Sequence, residues 1–172
     1  TFVGFAAFLD PPKKDAMRTI RELSDLGVSV KILTGDSDTL TKKICADIGI
    51  PVLGTVLGKD IDRLSESEVA TLALKTTIFA RVTPAEKERI IQALRTVSGT
   101  VVGYMGDGIN DVTALHAADV GISVENAVSV AKDAANIILL EKSFSVLKDG
   151  IEEGRKTFQN TLKYIRMWIS SN

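Results

Sequence analysis

The sequence predicts an α/β domain, built as a doubly wound, mostly parallel sheet with helices on both faces. Short apolar, β-branched runs alternate along the chain with longer segments in which apolar residues recur every three or four positions. The 172 residues are enough for one domain with its own core. A hydrophobic content of 45% and a charged content of 25% are ordinary for a globular domain.

In the first half of the chain, apolar periods and bounding residues define the elements. We predict strands at 2–9, 28–33 and 77–80, and a loop or short strand at 53–58. Gly27 ends the helix that follows the first strand, and Ser37 begins the helix that follows the second. Ser65 and Glu68 have the spacing of a capping box, which predicts a further helix there.

In the second half, the same alternation continues. We predict strands at 100–105, 120–124 and 137–140. Thr83 and Glu86 form a second capping box, and Pro84 falls at the first helical position. The last segment, 150–172, has a helical pattern with these apolar residues on one face: Phe158, Leu162, Ile165 and Ile169. We expect the first half of this helix to pack on the sheet.

The most informative motif is Gly-Asp-Gly-Ile-Asn-Asp at 106–111, where a predicted strand gives way to a helix. Glycines allow a tight turn and close backbone approach, and a helix start favours anions. A phosphate bridged by a divalent cation would account for both the glycines and the carboxylates of Asp107 and Asp111. An acidic surface turn is the alternative interpretation.

Two other polar segments follow predicted strands. Thr34, Gly35 and Asp36 repeat the design of a hydroxyl, a glycine and a carboxylate, although an isolated Thr-Gly-Asp is often only a helix cap. Lys87 lies near the start of a helix, where the helix dipole disfavours a cation unless an anion is close. A solvated surface lysine is the alternative for that residue.

Chain topology predicts that these segments meet. Right-handed crossovers place the loop tips after Leu9, Leu33, Ala80 and Met105 on one edge of the sheet. Ligands of open α/β sheets bind at that edge. The sequence therefore predicts one site composed of residues that are distant along the chain.

Together the segments resemble the haloacid dehalogenase-like superfamily, and specifically the phosphorylation domain of P-type cation-transporting ATPases. The matching segments are Asp10-Pro11-Pro12-Lys13, Thr34-Gly35-Asp36, Phe79-Ala80-Arg81 through Pro84 and Lys87, and the run 106–111. The runs at 118–124 and 137–143, together with Phe79-Ala80-Arg81, are most similar to the magnesium-import branch.

The resemblance implies Mg²⁺ as cofactor and ATP as phosphoryl donor. It makes Asp107 a direct magnesium ligand, and Asp111 an auxiliary acid of the metal site that pairs with Lys87. Thr34, Lys87 and Asp111 are then the catalytic residues. If Lys87 serves the phosphoryl group, its loss should hardly change folding stability. The lost helix-dipole penalty of about 0.3–1 kcal/mol opposes the lost pairing with Asp111, which is of similar size if the pair is exposed.

The resemblance also implies the phosphate and nucleotide contacts. The phosphoryl oxygens would be held by these groups: the Thr34 hydroxyl, the Gly35 N–H, the Lys87 ammonium and the Asn110 amide. Asp36 and Arg81 would lie near the nucleotide. Asp10 and Lys13 would belong to the same rim of the site.

One departure from the family is large. The chain contains no Asp-Lys-Thr-Gly-Thr segment, which carries the phosphorylated aspartate in P-type ATPases. We therefore expect residues 1–154 to be the C-terminal major part of a phosphorylation domain without its nucleophile and nucleotide-binding domain, and inactive alone. Residues 155–172 would be a helix leading towards the membrane stalk. The parent would be an integral inner (plasma) membrane pump with this domain in the cytosol. There the domain would contact the other domains of the pump and help drive transport of a cation, which the similarity to the magnesium-import branch indicates to be Mg²⁺.

Composition excludes several other classes. A net charge of −1 gives no electrostatic reason for nucleic-acid binding. The single cysteine, Cys45, cannot form an intramolecular disulfide, and we predict it to be a small core or half-buried residue. The single histidine, His116, argues against zinc.

Two other functions fit parts of the sequence. One is a soluble phosphatase of the same superfamily with Asp10 as nucleophile, although such enzymes usually have a second acid where this chain has Pro12. The other is a dinucleotide-binding module based on Gly103, Gly106 and Gly108. Their order is not Gly-x-Gly-x-x-Gly, and Asp107 would repel a pyrophosphate without a metal.

Overall fold

The computed structural model describes residues 16–97, 99–141 and 143–170. The strand predicted at 2–9, with Leu9, Asp10 and Lys13, lies outside the described residues. The helices are α1 (Ala16–Asp25), α2 (Asp38–Ile48), α3 (Gly58–Ile61), α4 (Glu66–Lys75), α5 (Pro84–Arg95), α6 (Val112–Ala117), α7 (Ser129–Ala134) and α8 (Phe144–Ser170). The strands are β1 (Ile32–Leu33), β2 (Thr55–Leu57), β3 (Ile78–Ala80), β4 (Gly103–Met105), β5 (Val120–Val124) and β6 (Ile137–Leu139).

Within the described residues, the strands form two three-stranded sheets in which every pair is parallel. Their orders are β1-β3-β2 and β4-β5-β6. Leu33 pairs with Phe79 in the first sheet, and Met105 pairs with Ile122 in the second. The predicted parallel α/β class is confirmed.

The central strand β3 shows why helices cover both faces of its sheet. Ile78, Phe79 and Ala80 are all fully buried. Successive side chains of a strand point to opposite faces. Phe79 accordingly packs with the cluster from α4 and α5, whereas Ile78 and Ala80 pack with Cys45 of α2. Of the two predicted placements for Cys45, core or half-buried, the structure has the first.

Packing between α5 and α6 joins the two sheets. Ile91 of α5 meets Ala114 and Ala117 of α6 in one buried cluster, and Leu33 and Tyr104 pack against it from the two sheets. The alanines allow the two helices to approach closely. This contact brings the start of α5 next to the turn that precedes α6.

Two element boundaries differ from the predicted ones. The strand expected at 28–33 is paired only at Ile32–Leu33, because its partner β3 begins at Ile78 and offers no ladder to the preceding residues. The terminal helix α8 begins at Phe144 instead of residue 150, and it continues through Gly150 and Gly154. A predicted domain boundary after residue 154 therefore falls inside a continuous helix, and the division itself stays a prediction.

Helix α8 packs against α1, and Arg155 donates a hydrogen bond to the Leu26 carbonyl at 2.6 Å. The packing of its first half on the sheet stays a prediction. Beyond Arg155 the apolar residues Phe158, Ile165 and Ile169 are exposed. In the described part of the chain, no helix combines the length and apolar character needed to cross a membrane.

Candidate active site

Strand ends from both sheets meet at an open cleft of about 320 Å³. The residues that line it are Leu33, Thr34, Gly35, Lys87, Tyr104, Met105, Gly106, Asp107, Asp111 and Val124. The loop that follows β3 joins the same edge, since Val82 N–H donates to the Thr34 carbonyl at 3.0 Å. Three of the four loop tips that the sequence placed together therefore meet, and the fourth, after Leu9, lies outside the described residues.

An ion pair between Lys87 and Asp111 lies in this cleft. The distance from Lys87 Nζ to Asp111 Oδ1 is 2.7 Å, and the two side chains are only 11% and 14% exposed. Lys87 is fixed by the start of α5, where the predicted capping box forms between Thr83 and Glu86 with Pro84 at the first turn. The pair is thus nearly buried, and the premise of an exposed pair is wrong.

Two further donors hold the Asp111 carboxylate. Tyr104 Oη donates to Oδ1 at 2.7 Å, and the Gly108 N–H donates to Oδ2 at 3.2 Å. Burial alone would raise the pKa of Asp111, but the hydrogen bonds from Lys87 and Tyr104 outweigh it and hold the pKa below its ordinary value. Asp111 is therefore ionised at neutral pH, and both of its oxygens accept hydrogen bonds from the protein.

The pKa of Tyr104 moves the other way. Burial raises it, and the hydrogen bond to Asp111 and the negative charges of Asp111 and Asp107 raise it further. Tyr104 therefore keeps its proton and acts as a hydrogen-bond donor at every physiological pH. Sequence reasoning missed this residue, although a tyrosine in a buried strand needs a partner for its hydroxyl.

Asp107 differs from Asp111 in its surroundings. It is exposed in the cleft, and no described residue donates a hydrogen bond to its carboxylate. Its backbone is nevertheless fixed, since its carbonyl accepts from Val128 N–H at 3.1 Å. The adjacent Gly106 donates to the Ile122 carbonyl at 3.1 Å and accepts from the Ser123 hydroxyl at 2.9 Å. A rigid turn thus presents one carboxylate that is free to bind a cation.

This donor set suits Mg²⁺. The described residues contain no group of three or more histidine, cysteine, aspartate or glutamate side chains that could enclose a metal ion. Magnesium usually takes only one or two protein carboxylates and keeps several waters, with substrate phosphates completing its shell. The Asp107 carboxylate, which accepts no hydrogen bond from the described residues, fits that pattern in an open cleft. The other carboxylate of the cleft, that of Asp111, is paired with Lys87.

Gly35 and its neighbours form the opposite wall. The Asp36 N–H donates to Thr34 Oγ1 at 3.0 Å, and the Thr34 hydroxyl donates to Asp36 Oδ2 at 3.2 Å. A methyl group added at Gly35 would have Val82 O, at 3.9 Å, as its nearest neighbour. A small side chain at Gly35 would therefore make only ordinary contact with the described residues.

Three predicted site residues lie outside the cleft lining. Asn110 is exposed in a 3₁₀ turn (Ile109–Asp111). Asp36 and Arg81 are exposed beside the cleft, and Arg81 N–H donates to the Asp36 carbonyl at 3.0 Å. Arg81 has a left-handed backbone with φ of 54°, which costs a non-glycine residue about 1–2 kcal/mol. Their roles in phosphate and nucleotide binding stay predictions.

Comparison with known proteins gives concordant matches. The family model described as haloacid dehalogenase-like hydrolase matches residues 1–119. A magnesium-transporting P-type ATPase of Escherichia coli K12 is 54% identical over 169 residues, which are 98% of this chain and 19% of that protein. The human calcium-transporting ATPase type 2C member 2 is 36% identical over all of this chain and 18% of its own length.

A solved structure shares the fold. It is the catalytic domain of the CPx-ATPase CopB-B, with a TM-score of 0.60 and 26% sequence identity. The match covers 78% of this chain and 44% of that one. In the sequence comparisons, by contrast, the chain spans about a fifth of the length of the curated relatives that it matches.

Proposed function

The chain belongs to the haloacid dehalogenase-like hydrolase family, and we propose that it works as the phosphorylation domain of an ATP-driven, P-type cation pump. The Lys87–Asp111 pair beside the unpaired Asp107 carboxylate is the observation that carries this proposal. Transfer of a phosphoryl group needs its negative charge stabilised and its position fixed. A cation site and a positioned ammonium in one cleft are suited to both tasks.

Each wall of the cleft has a distinct role in this proposal. Asp107 holds Mg²⁺, which when bound reduces repulsion between the phosphoryl oxygens and the carboxylates. Lys87 directs its ammonium to the phosphoryl oxygens, while Asp111 fixes the ammonium in place. Thr34 and the Gly35 N–H contact the same oxygens from the opposite wall of the cleft, which both residues line. Asn110 extends this set from the 3₁₀ turn. Asp36 and Arg81 contact the nucleotide at the rim.

The finer proposal concerns the cargo and the location. We take the transported cation to be Mg²⁺, because identity is 54% to the magnesium-transporting relative and 36% to the calcium-transporting one. In this proposal the domain works on the cytosolic face of an inner (plasma) membrane, joined to membrane-spanning helices of the parent protein. Uptake of Mg²⁺ by vesicles that carry the parent protein tests the cargo, and uptake of Ca²⁺ alone would contradict it.

Lys87→Met in the parent protein tests the phosphoryl-transfer role. Phosphoenzyme formed from radiolabelled ATP and trapped by acid should fall by about 100-fold or more, the usual effect of removing one positioned donor. Lys43→Met is the matched control, because Lys43 is an exposed lysine of α2, away from the cleft. A normal phosphoenzyme level in Lys87→Met would make Lys87 a structural lysine and remove the basis of the proposal.

Magnesium titration of the 172-residue chain separates the two carboxylates. Asp107→Asn should abolish measurable binding, whereas Asp111→Asn should weaken it less, since the oxygens of Asp111 already accept three hydrogen bonds. Chemical shifts at 106–111 provide the readout. Equal magnesium affinity in wild type and Asp107→Asn would contradict the metal assignment.

The soluble phosphatase is distinguished by the 172-residue chain itself. We expect this chain to take no label from ATP or acetyl phosphate, because the Asp-Lys-Thr-Gly-Thr nucleophile segment is not in it. Acid-stable label that disappears in Asp10→Asn would instead support a phosphatase with Asp10 as nucleophile.

A further inference from the structure

Tyr104 has a hydroxyl in the cleft and a ring in the core. The ring packs against the clusters formed around Ala114 and Leu115 of α6. The hydroxyl reaches Asp111 Oδ1 at 2.7 Å, the same oxygen that accepts from Lys87 at 2.7 Å. A rigid aromatic ring, held by core packing, thus places a donor at one end of the ion pair.

Because Lys87 and Tyr104 donate to the same oxygen of Asp111, the position of each donor is restricted. A lysine side chain has four rotatable bonds and three equivalent N–H donors, so a single carboxylate contact fixes its ammonium poorly. Because the Tyr104 hydroxyl occupies one lone pair of Oδ1 and the Gly108 N–H occupies Oδ2, the approach left to Lys87 is narrow. The direction of the ammonium then follows from the position of the tyrosine ring.

We propose that Tyr104 is a positioning residue that orients the Lys87 ammonium through its hydrogen bond to Asp111. The effect on phosphoryl transfer rests on the proposed function, whereas the effect on Lys87 itself does not. Tyr104 makes no contact with substrate in this proposal; it acts through Asp111 and determines how well the ammonium is aimed into the cleft.

Removing the hydroxyl while keeping the ring isolates this role. Tyr104→Phe retains the packing against α6 and deletes only the donor. The chain has one other tyrosine, Tyr164, which is exposed on α8, so Tyr164→Phe is a matched control. Both changes remove one phenolic hydroxyl, but only the first removes a hydrogen bond to Asp111.

The local test follows the Lys87 ammonium by ¹⁵N NMR of the 172-residue chain labelled at lysine, with Lys87→Met used to assign the signal. Tyr104→Phe should shift the Lys87 Nζ resonance and speed exchange of its protons with water. Tyr164→Phe should leave both unchanged. A Lys87 signal that is the same in Tyr104→Phe and wild type would overturn the proposal.

A second substitution keeps the test valid if Tyr104→Phe disturbs folding. In the Tyr164→Phe background Tyr104 is the only tyrosine, so 3-fluorotyrosine can be placed there alone. The fluorine makes the hydroxyl a stronger donor and leaves the ring in place. The Lys87 resonance should move in response, and an unmoved resonance would overturn the proposal.

The functional test uses the parent protein. Tyr104→Phe should slow phosphoenzyme formation by roughly threefold to tenfold, much less than Lys87→Met, with little change in the ATP concentration at half-maximal rate. An unchanged rate would overturn the catalytic consequence. A wild-type parent that forms no phosphoenzyme would contradict the proposed function, while a shifted Lys87 resonance in Tyr104→Phe would still support the positioning role.

Discussion

The two glycine turns of the cleft look alike in sequence and differ in what their glycines do. A methyl group added at Gly106 would lie 2.4 Å from Asp111 Cβ, far inside any permitted contact. One added at Gly35 would lie 3.9 Å from its nearest neighbour, Val82 O, which is ordinary contact. Neither glycine has a left-handed backbone. The first glycine is therefore required by the packing of the protein, and the second is not.

The difference separates folding from function. Gly106 lets Asp111 lie against the turn and form the ion pair with Lys87. At Gly35 a side chain would meet only ordinary contact, and no described residue accepts a hydrogen bond from the Gly35 N–H. A glycine that the fold does not need, at the wall of a cleft, supports the proposed phosphoryl contact there.

The largest expected effect is on stability in Gly106→Ala. The added methyl must displace Asp111 and break its pair with Lys87, so unfolding free energy should fall by at least about 3 kcal/mol. Gly35→Ala should change it by less than about 0.5 kcal/mol. Urea unfolding of the two variants measures both values. Equal losses would mean that the two turns are packed alike and would end the comparison.

Lys87→Met should have the next largest effect on folding. The pair is nearly buried, and removal of one partner of such a pair costs about 3 kcal/mol. Tyr104 and the Gly108 N–H remain as donors to Asp111 and should reduce that cost. Thermal unfolding should therefore show a clear drop for Lys87→Met and almost none for the exposed Lys43→Met. A stability unchanged in Lys87→Met would mean that the pair is solvated.

Ser123→Ala tests how the turn at Gly106 is held in place. The buried Ser123 hydroxyl donates to the Gly106 carbonyl, and its loss leaves that carbonyl without the donor at a cost of about 1–2 kcal/mol. Thr34→Ala removes a hydroxyl that, among the described residues, is bonded only to its neighbour Asp36, and should cost less than about 0.5 kcal/mol. The urea concentrations at which the two variants are half unfolded measure both losses of stability. A greater loss in Thr34→Ala would reverse the comparison.

The smallest expected effect is the change with pH in the contribution of Asp111 to stability. The pKa of Asp111 is depressed in the folded protein, so its contribution to stability is present above the ordinary value of 3.8 and is lost as pH falls through the folded value. The stability gap between wild type and Asp111→Asn should therefore narrow below about pH 4. Melting temperatures across a pH series give the gap. A gap that stays constant down to pH 2 would show that Asp111 is not stabilised as an anion.

Much of the fold was predictable because its signals are local. The capping boxes at Thr83 and Ser65 depend on residues three positions apart, and both form. The parallel class follows from strand and helix alternation, and it is confirmed. The start of α8 was missed because glycines at 150 and 154 weaken a helical pattern, whereas packing of α8 against α1 offsets that local preference.

The site divides in the same way. Strand-end motifs predicted that Thr34, Gly35, Lys87, Asp107 and Asp111 meet, and all of them line the cleft. The hydrogen bonds of the Tyr104 and Ser123 hydroxyls were missed, since each depends on how neighbouring strands or turns approach one another. Asn110, in contrast, is part of the motif at 106–111, yet it is exposed in a turn and does not line the cleft.

The sequence alone determined the alternating parallel architecture, the capped helices and the identity of the polar groups at the strand ends, because periodicity and short-range spacing encode them. Only the tertiary structure decided that the Lys87–Asp111 pair is nearly buried, that Tyr104 shares its oxygen, and that Gly106 is needed for packing while Gly35 is not. These properties depend on how closely α5, α6 and the two sheets approach one another. That distance is set by side chains far apart along the chain, and no local pattern records it.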